Sequence, residues 1–174
     1  MNTIQLDECM NSKRLIKRCA TEAKIATLPF PKEFEGRGIK DPEMLQWWNA
    51  LGVMLLTCDE RMAEDHMRFF PNQHKGIVVV CNGSYDILNH SVMMMLFADF
   101  KSQLPEWDRL QPDNVIIELW HNHPTRNVCV FRLLDGELAW QESFSYSDPG
   151  WKQKFLQSLE RAKNHRLLTD PHAN

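Results

Sequence analysis

Apolar positions from Glu8 to about Ala26 recur at helical spacing, through Cys9, Ile16, Cys19, Ala23 and Ala26, and predict a first helix capped by Asp7. The run "TLPFPKEFEGRGIKDP" breaks that pattern, because prolines and two glycines make it a connection. Asp41 followed by Pro42 is a strong helix start, since proline at the first position gives up an N–H that has no partner there. The next stripe reads Met44, Trp48, Leu51, Leu55, Cys58, Met62, His66 and Phe69 in steps of three and four. It predicts one long helix, or two divided at Thr57 where Thr57 to Glu60 has the form of a capping box, ended by Pro71 in either case.

Beyond Pro71 the period shortens. "GIVVV" (Gly76–Val80) is a β-branched run between polar residues and predicts a strand buried on both faces. Ser84 can cap a third helix carrying Ile87, Leu88, Val92, Met95, Leu96 and Phe100, which stops at Pro105. "NVIIELW" (Asn114–Trp120) is a second strand. "NVCVFRLL" and "ELAWQESF" flank Asp135-Gly136, a dipeptide suited to a two-residue type I′ hairpin turn. That turn pairs Leu133 with Leu138, Phe131 with Trp140 and Cys129 with Glu142, and leaves Arg132 and Gln141 in solvent. A last helix follows Asp148 and Pro149, with Trp151, Phe155, Leu159 and Ala162 inward. The expected order is α-α-β-α-β-β-β-α. As a fold class this is α+β: one domain over 1–174, with a helical N-terminal part (1–71) packed on a small mixed sheet of about four strands in an α/β part (75–165). The two strands joined by the third helix should be parallel, and the hairpin antiparallel.

Composition narrows the function classes. With 43% hydrophobic and 25% charged residues the chain reads as an ordinary globular protein, and a net charge of −3 gives no global attraction to nucleic acid or anionic lipid. Lys13, Arg14, Lys17 and Arg18 form the densest basic patch, read as the solvated face of the first helix. No secretory h-region and no bilayer-length apolar run is present in the sequence. The five cysteines (Cys9, Cys19, Cys58, Cys81, Cys129) are scattered without a CxxC, so all five are expected as thiols and the compartment as cytoplasmic.

The chemistry worth weighing lies in "ELWHNHPTRNVCVF". On a strand, Ile117, Leu119, His121 and His123 share one face, and two imidazoles two residues apart can chelate one ion. The plainer alternative ends the strand near Trp120 and leaves the histidines in a loop. "VIIELWHNHP" with Ser145-Tyr-Ser-Asp148 is similar to the motif of the JAMM or MPN+ metalloproteases, across about 35 residues. The resemblance implies His121, His123 and Asp148 as zinc ligands, Ser145 as oxyanion support and an upstream glutamate as base. Here a whole hairpin separates the proline from the serine, and Glu33, Glu35, Glu60 and Glu64 are the glutamates on offer, Glu118 pointing to the other face. A His-x-His single-strand nuclease with Tyr146 is a further reading. Cys81, near the start of the third helix, could pair with His90 or His121 as a nucleophile, or act as a small buried hydrophobe.

Trp47 and Trp48 point about 100° apart on a helix, as do Met93, Met94 and Met95, so apolar residues occupy more than one stripe. With a ligand set short of a base, the sequence favours a cytoplasmic, non-enzymatic interaction or regulatory protein without cofactor: an inhibitor, adaptor or immunity-type factor. Its expected partner is another protein, a second copy of itself included, rather than a membrane or nucleic acid. A zinc-dependent hydrolase is the alternative.

Overall fold

The computed structural model describes residues 3–32, 34, 41–81, 113–120 and 127–169. The chain enters as a strand. β1 (Thr3–Leu6) is followed by a 3-10 turn over Glu8–Met10, and only then by helix α1 (Lys13–Arg18). Asp7 caps the turn, accepting from the Glu8 N–H, while Ser12 caps the helix by accepting from the Leu15 N–H at 3.2 Å. A π-helical segment (Cys19–Ala23) ends at Lys24, whose left-handed φ of 55° turns the chain into β2 (Ala26–Leu28).

Helix α2 (Asp41–Leu51) stops at Gly52, which takes a φ of 64°, and the chain straightens into β3 (Met54–Thr57). Helix α3 (Met62–His66) with its 3-10 extension (Met67–Phe69), β4 (Ile77–Cys81), β5 (Ile116–Trp120), β6 (Val128–Leu134), β7 (Glu137–Phe144) and helix α4 (Trp151–Thr169) complete the described elements.

All seven described strands form one sheet in the order β2-β1-β3-β4-β5-β6-β7. The first five run parallel, and β6 and β7 add an antiparallel hairpin. The sheet is covered on both faces. One core joins Ile4, Leu6, Leu56, Val78, Val80, Ile117 and Leu119 to Leu15 and Cys19 and to Trp151, Phe155, Leu159 and Ala162 of α4. The other joins Leu55, Ile77, Val79, Ile116 and Phe131 to Met44, Leu45 and Trp48 of α2 and to Met62 and Ala63 of α3. Every residue of β3 and of β4 is buried, as a parallel strand between two helical layers requires. Among the described residues no helix is long and apolar enough to cross a membrane.

Helices and a mixed sheet do make up the chain, but two expectations are corrected. The sheet has seven strands rather than about four, and residues 1–71 are not a helical half, because they hold three strands. The second stripe misled because Leu51, Leu55 and Cys58 keep helical spacing by coincidence across "MLLT", whose four residues are all buried. β1 and β2, of four and three residues, are too short to show a period of two. The hairpin register is the second correction. Asp135 (φ 51°) and Gly136 (φ 81°) form the expected left-handed turn, and Leu133 does face Leu138. A bulge between Arg132 and Leu133 then shifts the ladder, so Phe131 faces Gln141 and Trp140 faces Arg132. Arg132, on the same face of β6 as Val128 and Val130, is buried under α4 rather than left in solvent, at 1% exposure, and donates to the Ala162 and Lys163 carbonyls of α4 at 2.8 and 3.1 Å. The inward stripe of α4 is buried as its spacing predicts. The helix expected after Ser84 lies outside the described residues.

Candidate site at the carboxyl rim of the sheet

The strand order 2-1-3-4-5 sends the β1–β2 connection one way along the sheet and the β3–β4 connection the other. Where such connections diverge, the carboxyl ends of the two strands leave a crevice, the usual ligand site of doubly wound sheets. Here those ends are Leu6 and Leu56, register partners, with the Asp7 N–H donating to the Leu56 carbonyl at 3.0 Å.

Four polar or sulfur side chains meet there. The Asp7 Oδ2 accepts the Thr57 hydroxyl at 2.6 Å and the Cys9 thiol at 3.5 Å. The Cys58 thiol donates to the Cys9 Sγ at 2.6 Å, and the Cys58 backbone N–H donates to the same sulfur at 3.4 Å. The Thr57 Oγ1 also accepts the Asp59 N–H at 3.1 Å, which shapes the exit from β3. Cys9 is exposed as a residue, yet its sulfur is turned onto Cys58 and Thr57. The Cys58 hydrogen bond, the burial of that sulfur and the Asp7 carboxylate all push the Cys9 thiol far above its ordinary pKa, with the Cys58 N–H opposing them. Cys9 therefore rests protonated.

On the α3 face of the sheet a cavity of about 350 Å³ opens between α3 and the β5–β7 strands. Glu60, Glu64 and Glu118 supply carboxylates to its wall, and Met67, Trp120, Phe131, Leu133 and Leu138 supply apolar surface. Glu118 and Trp120 alternate with Ile117 and Leu119 along β5, which places them on the α3 face. The Trp120 indole N–H donates to the Glu118 Oε2 at 2.7 Å and fixes that carboxylate against the ring. Arg61, on the same wall, is bound to Asp65 at 2.9 Å.

No known family model, curated protein or solved structure matches the chain. The site must therefore be read from its own geometry.

His121, His123 and His90 fall outside the described residues, as do Glu33 and Glu35. Asp148 lies in the turn before α4, which starts at Trp151 rather than at Pro149, and its Oδ2 accepts the Ser145 N–H at 3.3 Å. Asn127, the first described residue after the histidine stretch, accepts from the Ser145 hydroxyl at 3.1 Å and the Tyr146 N–H at 3.0 Å. The turn that holds Asp148 thus abuts Asn127, just ahead of β6. Among the described residues no group of three or more His, Cys, Asp or Glu is placed to hold a metal ion. Cys81 is fully buried at the end of β4.

The sequence pattern places the residues at these strand ends on helices, Asp7 as a cap and Thr57 as the start of a capping box. Thr57 carries a signal all the same: it closes the short apolar run of Met54, Leu55 and Leu56, where a parallel strand presents its carboxyl end. Glu118, which strand alternation predicts to face away from His121 and His123, lines the α3-side cavity by that same alternation.

Proposed function

We propose that the protein is a regulatory protein that acts by binding another protein, and that the cavity beside Trp120 takes a basic side chain of that partner. One observation carries this reading: the Glu118 carboxylate is held by the Trp120 N–H at the wall of an apolar-floored cavity. A lysine or arginine combines an apolar stem with a cationic tip, and suits a carboxylate set beside an aromatic ring. Three glutamates line the cavity against one arginine that is already tied to Asp65. The volume is at the small end for ligand pockets, enough for one or two side chains.

A hexa-arginine peptide should bind the full chain weakly in calorimetry, with an affinity that falls as salt rises. Glu118→Gln should weaken it by roughly tenfold, about 1.4 kcal/mol, while Glu22→Gln on the opposite helical layer leaves it unchanged. Absence of binding, or equal weakening by both substitutions, overturns the assignment.

A second reading, the zinc-dependent hydrolase, draws support from the contact of Asn127 with the Ser145–Asp148 turn. Elemental analysis distinguishes it: about one zinc per chain, lost in the His121→Ala/His123→Ala double variant, is its expected outcome.

A further inference from the structure

We propose that Cys9 and Cys58 are a reversible dithiol–disulfide pair which, when oxidised, staples the carboxyl ends of β1 and β3. The backbone brings them together first. Leu6 and Leu56 are register partners on neighbouring parallel strands, and the two cysteines stand three and two positions beyond them. The side chains then close the gap. Their sulfurs are in direct contact, and the Cys58 backbone N–H also donates to the Cys9 Sγ. Cys19, Cys81 and Cys129 are buried in the helical and sheet cores, so they are poor competitors for an oxidant arriving from solvent. The pair is a site distinct from the cavity beside Trp120 and does not depend on what that cavity binds.

The oxidant we assign is a small-molecule disulfide such as oxidised glutathione. Cys9, the member whose residue reaches solvent, attacks one sulfur of that disulfide as the thiolate and expels the first glutathione thiolate. Cys58 then attacks the Cys9 Sγ within the mixed disulfide, forms the Cys9–Cys58 bond and expels the second. The two protons given up by the cysteines end on the two glutathione thiolates; two protein thiols are oxidised and one small disulfide is reduced to two thiols. Asp7, 3.5 Å from the Cys9 sulfur, and the Thr57 hydroxyl beside it position the attacking group. The same surroundings keep Cys9 protonated at rest, so the first attack is slow and the dithiol persists in reducing conditions.

The test is thiol counting on the full chain. After exposure to excess oxidised glutathione, acid quench and alkylation under denaturing conditions, the five thiols should fall to three, and peptide mapping should link Cys9 to Cys58. Dithiothreitol should restore the original count. Cys58→Ser should instead retain glutathione on Cys9, and Cys9→Ser should form no internal link, whereas Cys19→Ser should still link Cys9 to Cys58. Five thiols surviving prolonged exposure, a stable glutathione adduct on Cys9 of the unsubstituted chain, or a link through another cysteine would each overturn the proposal. Should Cys58→Ser fail to fold, the map of the unsubstituted chain still decides. None of these readouts is moved by Glu118→Gln, so this inference and the cavity assignment can fail separately.

Discussion

His74 is enclosed between the rings of Trp48 and Phe70, at centroid distances of 5.6 and 6.4 Å, and its Nδ1 accepts the Gly76 N–H at 3.0 Å. Burial, and then the positive charge of Arg132, lower its pKa from the ordinary 6.5 to about 4. The folded state thus binds its proton less readily than the unfolded chain. Stability from this residue is complete above about pH 6.5 and is lost as pH falls toward 4, where the folded form itself begins to charge. Chemical denaturation across that window should show the unsubstituted chain losing roughly 3 kcal/mol more than a His74→Asn variant, which keeps an acceptor but does not titrate. Equal slopes for the two would remove His74 as the cause. At this scale the sequence was only partly legible. Gly136 declared its left-handed turn, because few other residues tolerate that φ. Asp7 and Thr57 declared only that they end something, since a cap on a helix and a ligand at a strand end use the same short oxygen side chains. The contact of Cys9 with Cys58, 49 residues apart, has no local signature at all.

The hairpin shows what one extra residue does to an element. The bulge between Arg132 and Leu133 separates the two sides of β7, so that Leu138 keeps its predicted partner and Trp140 moves to the α4 face. There its N–H donates to Ser158 at 3.3 Å and Arg161 lies 5.6 Å from its ring centroid while bound to Glu142 at 2.8 Å. Alternation alone predicts a ladder without such a break, which is why the register slipped by one. The turn itself is fixed twice, by the φ of 81° at Gly136 and by Arg68, whose Cα would lie 3.2 Å from a Cβ placed there. Gly136→Val should therefore cost about 2 kcal/mol or more, read as a lower midpoint in urea with an unchanged slope. A loss below about 0.5 kcal/mol would mean that the turn relaxes without strain. Helix α4 was legible because its stripe is long, and β4 because a β-branched run between polar residues has few other uses. β1, β2 and β3 were hidden by brevity rather than by any unusual composition.

For the whole molecule, the sheet separates two cores that differ in how they are assembled. The α2–α3 side packs helices that are close in the chain to the strands they cover. The other side depends on α4, whose Phe155 is fully buried in a core with Ile4, Leu6, Leu15, Val80 and Leu119. Phe155→Ala should cost about 3–5 kcal/mol, measurable by thermal unfolding; a cost near 1 kcal/mol would show that the helix is a removable cover. The sequence could place α4 but not its partners, since nothing in a helical stripe names the sheet face it will meet. That arrangement bears on how the chain is made. A ribosome delivers β1 and α1 early and α4 late, so the core that Leu15 and Cys19 share with Trp151, Phe155, Leu159 and Ala162 lacks part of its cover until α4 emerges. A premature stop ahead of Trp151 removes α4's share of that cover, and the apolar surface it exposes makes the truncated chain prone to aggregate and a client for chaperones.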